Sequence, residues 1–551
     1  MLTTQRIRIH PRQATAFEAV TRTVGRPHTF PLLVTSLVVL VAGQLFRLQF
    51  RFKYDDSYIT FRVAERLADF GTYGFNEGDP TNAASALLFT LLLAVASLLK
   101  VNPPLAADLM SAFGLWLCFH SVFRIVLTES KRGGTSERTA ALMSFPALLV
   151  FIAPVGLYWL GSGMETTLFL GLLTYATSLA ISITQHDQVS FRLSLALGVL
   201  VLLRFDGIAF AAATLLPLVT LKLTQMNRLQ WVKYAAKVSL PATFAFISQI
   251  GFNLAVTGKL VPDSAHQKAL HPYYAQNWTE SYRALLDFLQ TEWIAPAALG
   301  ASGFVILLAA RRLRINVRSI ARPTLILAGQ FIGMLAYLAA TPHSDYSRYF
   351  LPLFVTPAIL LAAIASACVE RHTSRRRFSS LVLVVALVTV SFSSVSIWTD
   401  LDEFQDKTSG FIEYQMAREV IGEWMEVNLS NATVLSGSLA SIAFHNPAST
   451  FVDFSGLTSR GLLDTIERGD DPRALLFESA SHHVEMSWGS FESPMPADWD
   501  GLPELWETPI PLVGCDSDVA FETTEVAVAV RSSDLRPLMV VSEILWKECS
   551  P

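Results

Sequence analysis

The sequence predicts a polytopic α-helical membrane protein whose last part is a soluble α/β domain. Of the 551 residues, 52% are hydrophobic and only 16% are charged, and the mean hydropathy is +0.41. Apolar segments recur from residue 30 to residue 398, whereas charged residues, Trp, Pro and Ser return after residue 400. Because a soluble protein of this size does not need so much apolar surface, most of the chain is expected to lie in a membrane.

Three parts follow from this pattern. Residues 1–29 carry five arginines and are interpreted as a retained cytoplasmic segment before a signal-anchor helix. Residues 30–399 form the expected transmembrane domain, with a first loop at 50–84 and an outer loop at 258–292. Residues 400–551 form the expected extracytoplasmic domain. The candidate membrane segments are 30–49, 85–99, 104–127, 139–159, 164–184, 190–205, 208–223, 236–256, 293–310, 323–341, 349–369 and 379–398.

The positions of the basic residues predict the topology. Lys and Arg cluster at 131–138, 222–237, 311–318 and 371–377, and such clusters favour the cytoplasmic side. This orientation puts Asp55 and the C-terminal domain on the outer side. Eleven candidate segments lie between them, and an odd number cannot connect two points on one side.

One segment is therefore expected not to span the membrane. The segment 85–99 is favoured because it has about 15 residues where about 20 are needed. The region interrupted by Arg204 and Asp206 is the second candidate. About eleven spanning helices are predicted.

After residue 400, periodicity predicts alternating helices and strands. A helix is expected at 412–429, and another around Leu462, Leu463 and Ile466. Strands are expected at 432–435, 450–454 and 521–530. This part contains no nucleotide-binding or hydrolase motif, so its expected role is to recognise an acceptor or to cover the site.

An acid pair follows the first apolar segment. Asp55 and Asp56 lie where a membrane helix is expected to meet water, at the start of a stretch with helical spacing. Asp56 and Ser57 are candidate N-caps of that helix. The pair is either a solvated cap or a catalytic pair that faces a lipid-borne substrate.

Further charged side chains are expected on the same outer face. They are Glu165, Arg204, Asp206, His266, Lys268, His343, Asp345 and Arg348. Each has a structural alternative: Glu165 can cap a helix, Arg204 can pair with Asp206, and Arg348 can snorkel to the interface. Taken together, carboxylates suit a general base, and Lys and Arg suit a phosphate. This combination predicts transfer of a sugar from a polyprenyl phosphate, which requires no nucleotide.

Four motifs resemble a known family. They are Y-D-D-S-Y-I-T-F-R at 54–62, S-G-M-E-T at 162–166, G-K-L-V-P-D-S at 258–264 followed by Lys268, and Y-S-R-Y-F-L-P at 346–352. On these the sequence resembles the GT-C membrane glycosyltransferases, and within them the bacterial arabinofuranosyltransferase AftB group. It departs from that pattern at 81–87, where T-S-P-L-W is usual, and at Asp263, where Asn is usual.

The resemblance implies a GT-C fold in the bacterial inner membrane, a polyprenyl-phosphate sugar donor and a cell-envelope glycan acceptor. Arabinofuranose is one candidate sugar. Asp55 or Asp56 is the expected base, and a divalent cation can bind such a pair. The expected phosphate-binding residues are Lys268, Arg348, His266 and Arg204, and the further site candidates are Glu165, Asp206, Tyr54, Asp345 and Tyr346. Membrane lipid is an expected partner, and nucleic acid is not.

Two other functions fit the same residues. A transporter or flippase for lipid-linked sugars also places acids, Arg and Lys in a membrane cleft. The apolar pattern has no internal repeat, and the charges gather on one face instead of the midplane, which disfavours it. A non-catalytic assembly subunit is the third possibility.

Overall fold

The computed structural model describes residues 53–132, 159–186, 191–270, 317–340, 351–356, 418–436, 440–453 and 457–468, five later strands and a few isolated positions. The helices are α1 Asp55–Phe70, α2 Leu87–Leu98, α3 Pro103–Arg132, α4 Thr166–His186, α5 Phe191–Leu203, α6 Gly207–Leu223, α7 Arg228–Thr257, α8 Asp263–Leu270, α9 Val317–Ala340, α10 at 418–428, α11 Ala440–His445 and α12 Arg460–Glu467. A 3₁₀ turn spans Leu351–Phe354.

Three of the described helices are long and apolar enough to cross a membrane: α3, α4 and α7. Helix α2 has 12 residues. At about 1.5 Å per residue it is roughly 18 Å long, which is too short for a hydrocarbon core of about 30 Å. This agrees with the expectation that the segment 85–99 does not span.

Two further short helices flank the Arg204–Asp206 turn, since α5 has 13 residues and α6 has 17. The segments 30–49, 139–159, 293–310, 349–369 and 379–398 lie wholly or mostly outside the described residues. The number of eleven spanning helices therefore stays a prediction.

Small and polar residues join the apolar helices. A Cβ added to Gly171 of α4 would lie 2.2 Å from the carbonyl oxygen of Gly114 in α3, so only glycine allows this close crossing. Gln330 of α9 donates hydrogen bonds to Thr177 Oγ1 of α4 at 2.7 Å and to Thr214 Oγ1 of α6 at 2.9 Å. These contacts fix the positions of helices whose ends carry the site.

The acid pair lies in the first turn of α1. The helix begins at Asp55, and Tyr54 is its N-cap residue, without a side-chain cap. The Tyr54 carbonyl accepts hydrogen bonds from the Ser57 amide at 2.9 Å and from Ser57 Oγ at 2.6 Å. The expectation that Asp56 or Ser57 is the N-cap is wrong, because the helix already begins at Asp55 and Tyr54 is therefore the N-cap residue. Both carboxylates therefore lie at the positive end of the helix dipole.

The residues after 400 include a mixed five-stranded sheet. Its strands are β1 Thr433–Ser436, β2 Thr450–Val452, β3 His482–Met486, β6 Glu522–Val530 and β7 Pro537–Leu545, in the order β2-β1-β3-β7-β6. β1 pairs in parallel with β2 and β3, and the remaining pairs are antiparallel. The strands β4 Ile510–Pro511 and β5 Asp518–Val519 form a separate pair.

Within the described residues the elements predicted for this part are present. The helix expected at 412–429 is observed at 418–428, the helix around Leu462 is α12, and the three expected strands are β1, β2 and β6. The division of the chain at residue 400 lies outside the described residues and stays a prediction.

The C-terminal part packs directly on the first loop. Tyr73 and Phe75 share a hydrophobic cluster with Ile442 and Phe451. The side chain of Asn76 pairs with the backbone of Phe451, donating to its carbonyl at 2.7 Å and accepting from its amide at 2.9 Å. The Asn76 side chain therefore attaches the first loop to β2 and joins the two parts.

Arg62, the last residue of the acid motif, strengthens this junction. It is 2% exposed, and its guanidinium donates to the carbonyls of Phe75 at 2.9 Å, Asn446 at 3.1 Å and Ser449 at 2.7 Å. It also donates to the carbonyl of Ala443 at the end of α11. Burial, with a smaller effect of the neighbouring Arg66, lowers the pKa of Arg62 to about 9.

Candidate functional site

The acid motif and the S-G-M-E-T turn contact each other. The Tyr54 amide donates to the Ser162 carbonyl at 2.9 Å, and the Tyr54 ring lies edge-on to Trp159 with centroids 5.3 Å apart. Gly163 has φ +81°, and a Cβ there would lie 2.9 Å from Ser57 Oγ. The turn therefore requires glycine and fixes the start of α1.

Lys53, two residues before the acid pair, adds a second fixed point. Its Nζ donates to Asp108 Oδ1 of α3 at 2.5 Å and lies 3.4 Å from the Gly161 carbonyl. The Lys53 side chain is 7% exposed. The sequence analysis missed this pair, although Asp108 is a lone acid in the apolar segment 104–127 and such an acid usually indicates a charged partner.

Asp55 is held by the C-terminal part. Its Oδ1 accepts a hydrogen bond from the Ser441 amide at 3.0 Å and lies 3.8 Å from Arg418 Nη1. Its Oδ2 accepts no hydrogen bond from the described residues, and the side chain is 20% exposed. Burial raises the pKa of Asp55 more than Arg418 and the amide lower it. The bonds at Oδ1 thus orient the carboxylate, while Oδ2 remains available to accept a hydrogen bond. Asp56 is half-buried beside it.

Arg204 lies between two carboxylates. Its Nε and Nη2 donate to Asp206 Oδ1 and Oδ2, both at 2.9 Å, and its Nη1 donates to Glu165 Oε1 at 3.1 Å. The guanidinium carbon lies 5.3 Å from the centre of the Phe169 ring. The structural alternative given for Arg204, a pair with Asp206, is therefore observed. A bidentate pair of this kind also fixes the turn between α5 and α6.

A narrow cleft with about 10 Å³ of accessible space opens beside this ion pair, which is room for about one water molecule. Its lining residues are Thr166, Phe169, Leu170, Arg204, Asp206, Phe210, Leu351 and Pro352. Thr166 Oγ1 is buried and has no hydrogen-bond partner among the described residues. Thr166 directly follows the turn whose Ser162 contacts Tyr54, so the cleft lies at the end of that turn.

The two departures from the family pattern contact each other. Asp263 is 1% exposed, and its Oδ2 accepts a hydrogen bond from the Asn82 amide at 2.8 Å. The Asn82 side chain donates to Asn253 Oδ1 of α7 at 2.6 Å. Burial raises the pKa of Asp263, and the Asn82 amide and Lys259 partly oppose this shift. The substitution in the outer loop therefore has a partner in the first loop.

The same outer loop is bound to α12. His266 Nδ1 lies 3.3 Å from Glu467 Oε1. Lys259 Nζ lies 2.8 Å from the same oxygen and 3.2 Å from Asp464 Oδ1. The structure thus places His266 against the C-terminal part. Its predicted contact with a phosphate is not tested by these contacts and stays a prediction.

Several predicted site residues lie outside the described part of the chain. The backbone of Lys268 belongs to α8, but its side chain lies outside the described residues. The positions His343, Asp345, Tyr346 and Arg348 also lie outside them.

Among the described residues, one group of side chains could hold a metal ion. Ligand atoms of Glu419, Glu423 and His445 all lie within 4.8 Å of one another. Burial lowers the pKa of His445, which favours the neutral imidazole that a metal requires. The His445 ring is 5.7 Å from that of Tyr58 in α1. Sequence reasoning did not find this group, because its residues come from two helices of the C-terminal part.

Comparison with known proteins identifies the fold. No family model and no curated protein matches the chain. The solved structure of ArnT from Cupriavidus metallidurans bound to undecaprenyl phosphate has a TM-score of 0.53 and 14% identity, covering 96% of this chain and 98% of that chain. The apo state of the same protein has a TM-score of 0.51 and 13% identity, covering 95% and 98%. The GT-C-like membrane fold is therefore confirmed, and the resemblance to the AftB group stays a prediction.

Proposed function

We propose that the protein is an integral-membrane glycosyltransferase that transfers a sugar from a polyprenyl-phosphate carrier to a cell-envelope glycan. One observation carries this proposal. Over 96% of its length the chain shares the fold of a protein that was solved with undecaprenyl phosphate bound. The acid motif supports transfer, because it supplies a fixed carboxylate with one available oxygen.

In this proposal Asp55 is the general base. Its raised pKa makes it a stronger base than an exposed aspartate, and Ser441 and Arg418 orient it. It takes the proton from an acceptor hydroxyl, whose oxygen bonds to the anomeric carbon of the donor sugar. The bond between that carbon and the phosphate oxygen breaks, and polyprenyl phosphate leaves. Asp56 is the alternative base.

Cations are needed to stabilise the departing phosphate. Lys268 and Arg348 are proposed for this role, Lys as a point charge and Arg as a planar donor. Lys268 follows Asp263 on α8, and Arg348 precedes the cleft residue Leu351 by three positions. His266 and Arg204 remain weaker candidates, because Glu467 and Asp206 already contact them.

The identity of the sugar is also part of the proposal. The four family motifs support arabinofuranose as the sugar and the bacterial inner membrane as the location. The outward orientation of residues 400–551 is supported by the distribution of Lys and Arg. In that orientation the C-terminal part faces the glycan acceptor.

The test uses the full chain in lipid nanodiscs. Purified protein is incubated with polyprenyl phosphates carrying arabinofuranose, mannose or glucose, together with oligosaccharide acceptors, and release of free polyprenyl phosphate is measured by mass spectrometry. We expect release with one of these donors, and the Asp55→Asn variant as control should show about 10²- to 10⁴-fold less. If proteoliposomes instead moved the labelled donor across the bilayer without release, the flippase function would replace this one.

A further inference from the structure

Two glutamates of α10 lie one helical turn apart. Glu419 and Glu423 are separated by four residues, so their side chains project from the same face of the helix. Neither glutamate forms an ion pair with a Lys or Arg of the described residues. Two carboxylates at this spacing repel each other, and a cation bound between them removes that repulsion.

His445, the last residue of α11, faces the two glutamates from a second helix. Gly422 allows the close contact, because a Cβ there would lie 2.8 Å from His445 Cβ and 2.8 Å from the Ile442 carbonyl oxygen. His445 Nε2 is buried, has no hydrogen-bond partner among the described residues and lies 4.0 Å from Glu419 Oε1. That distance is too long for a hydrogen bond. The buried nitrogen is therefore aimed at a carboxylate that it does not bind directly.

The distances between these three side chains fit a bound metal ion. Their ligand atoms all lie within 4.8 Å of one another. Two ligand atoms that are each about 2.1 Å from a tetrahedral ion lie about 3.4 Å apart, so a side-chain movement of about 1 Å closes the site. Glu423 is exposed and the Glu419 side chain is 36% exposed, which leaves both carboxylates free to make this movement. An imidazole beside two carboxylates suits Zn²⁺, whereas Mg²⁺ and Ca²⁺ favour oxygen ligands alone.

We propose that Glu419, Glu423 and His445 bind a Zn²⁺ ion, with a water molecule as the fourth ligand. Because the ligands come from α10 and α11, the ion links these two helices of the C-terminal part. Binding of the ion does not rest on the proposed function, since it requires only these three side chains.

The metal site adjoins the groups that orient the candidate base. Arg418, the neighbour of Glu419 in α10, lies 3.8 Å from Asp55 Oδ1. Ser441, at the start of α11, donates its amide to the same oxygen at 3.0 Å. An ion that holds α11 against α10 therefore fixes both partners of Asp55 without touching the reacting atoms. Its ligands are positioning residues for the proposed reaction.

The first experiment measures metal binding by the full chain in nanodiscs, with any affinity tag removed. The protein is treated with EDTA and dialysed against Zn²⁺, Mg²⁺ or Ca²⁺. Bound metal is determined by inductively coupled plasma mass spectrometry, and Zn²⁺ affinity by competition with a fluorescent chelator. Glu423→Gln and His445→Phe each remove one ligand, and the Phe ring keeps the contact with Tyr58. Glu426→Gln is the matched control, because it makes the same change on the same helix outside the group of ligands.

The wild type should bind one Zn²⁺ per chain, in preference to Mg²⁺ and Ca²⁺. Both ligand variants should bind Zn²⁺ at least tenfold more weakly, since even the loss of a group that only orients a ligand costs about 10- to 100-fold in affinity. Glu426→Gln should keep the wild-type affinity. Equal affinities of the wild type and both ligand variants would overturn the site, and a preference for Mg²⁺ or Ca²⁺ would overturn the assignment of Zn²⁺.

Thermal unfolding of the wild type tests the site without any substitution. The melting temperature should rise with Zn²⁺ concentration, because an ion that binds only the folded state stabilises that state. A melting temperature that does not change with Zn²⁺ would overturn the site.

Hydrogen exchange tests the link to Asp55. Zn²⁺ should slow exchange of the Ser441 amide in the wild type and leave it unchanged in Glu423→Gln. Unchanged exchange in a wild type that has bound Zn²⁺ would overturn the positioning role. Release of polyprenyl phosphate is measured in parallel and should fall on removal of Zn²⁺ and recover on its return. Slowed exchange without release under any condition would support the metal site and overturn the proposed function alone.

Discussion

Asp55 Oδ1 accepts a hydrogen bond from the backbone amide of Ser441 at 3.0 Å, although 386 residues separate the two in the chain. Ser441 lies in the first turn of α11, so the carboxylate of the acid motif also satisfies a helix terminus in the C-terminal part. The C-terminal part therefore orients the candidate base Asp55, in addition to any role that it has in covering the site.

Replacing Asp55 with Asn should reduce turnover by about 10²- to 10⁴-fold, because Asn keeps the shape and the bond from Ser441 but cannot accept a proton. Release of polyprenyl phosphate measures turnover, and binding of undecaprenyl phosphate should stay unchanged. Asp56→Asn is the comparison and should lose less activity. Near wild-type rates in both variants would mean that the acid pair is structural only.

The pH dependence of kcat/KM should reflect the buried base. A general base must be deprotonated, so activity falls as the pH drops through its pKa. Because burial raises the pKa of Asp55 above its ordinary value of 3.8, the acidic limb should lie above that value. The acidic limb should be absent from the residual activity of Asp55→Asn. If the limb persists in that variant, it arises from the titration of another group.

Arg62→Met should destabilise the junction between the first loop and the C-terminal part. The change removes the donors for the carbonyls of Phe75, Asn446 and Ser449, and each buried carbonyl left unpaired costs about 1–3 kcal/mol. Thermal unfolding in detergent and protease cleavage of the C-terminal part are the measurements. Arg228→Met, at an exposed position, is the control and should change stability by about 0.5 kcal/mol or less. Similar unfolding of both variants would contradict the role given to Arg62.

Gly163→Ala should reduce both stability and turnover. The left-handed backbone at φ +81° costs an alanine about 1–2 kcal/mol, and its Cβ would press on Ser57 at the start of α1. Gly251→Ala in α7 is the matched control, since a Cβ there meets nothing within 4 Å. That control should stabilise the helix by about 0.5–1 kcal/mol. Melting temperatures and release of polyprenyl phosphate are measured for both variants. Equal melting temperatures would contradict the requirement for glycine at position 163.

Asp263→Asn should change how stability depends on pH. With a folded-state pKa raised above 3.8, Asp263 binds its proton more tightly in the folded state than in the unfolded state. Its contribution to stability is therefore full at pH values below 3.8 and is lost as the pH rises through the raised pKa. The Asn variant can still accept the bond from Asn82 and should lose less stability over this range. Unfolding curves between acidic and neutral pH that coincide for both proteins would contradict this.

The sequence by itself determined the membrane class, the acid pair at the start of a helix, and, after residue 400, three of the seven described strands and two of the three described helices. These features can be predicted from apolar runs, helical spacing and alternation, because each segment's pattern of apolar residues reflects which of its own faces is buried. The resemblance in four short motifs also predicted the GT-C fold, which the likeness to ArnT confirms. The glycine of S-G-M-E-T indicated a turn in the sequence, but its contact with Ser57 could not be predicted.

Only the tertiary structure decided which groups meet. Ser441 and Arg418 hold Asp55, Glu467 contacts His266, and the Asn82 amide bonds to Asp263. None of these pairs is local in sequence, so neither periodicity nor spacing could predict them. Each depends on how the first loop, the outer loop and the C-terminal part pack, because a hydrogen bond forms only where packing brings donor and acceptor within about 3 Å.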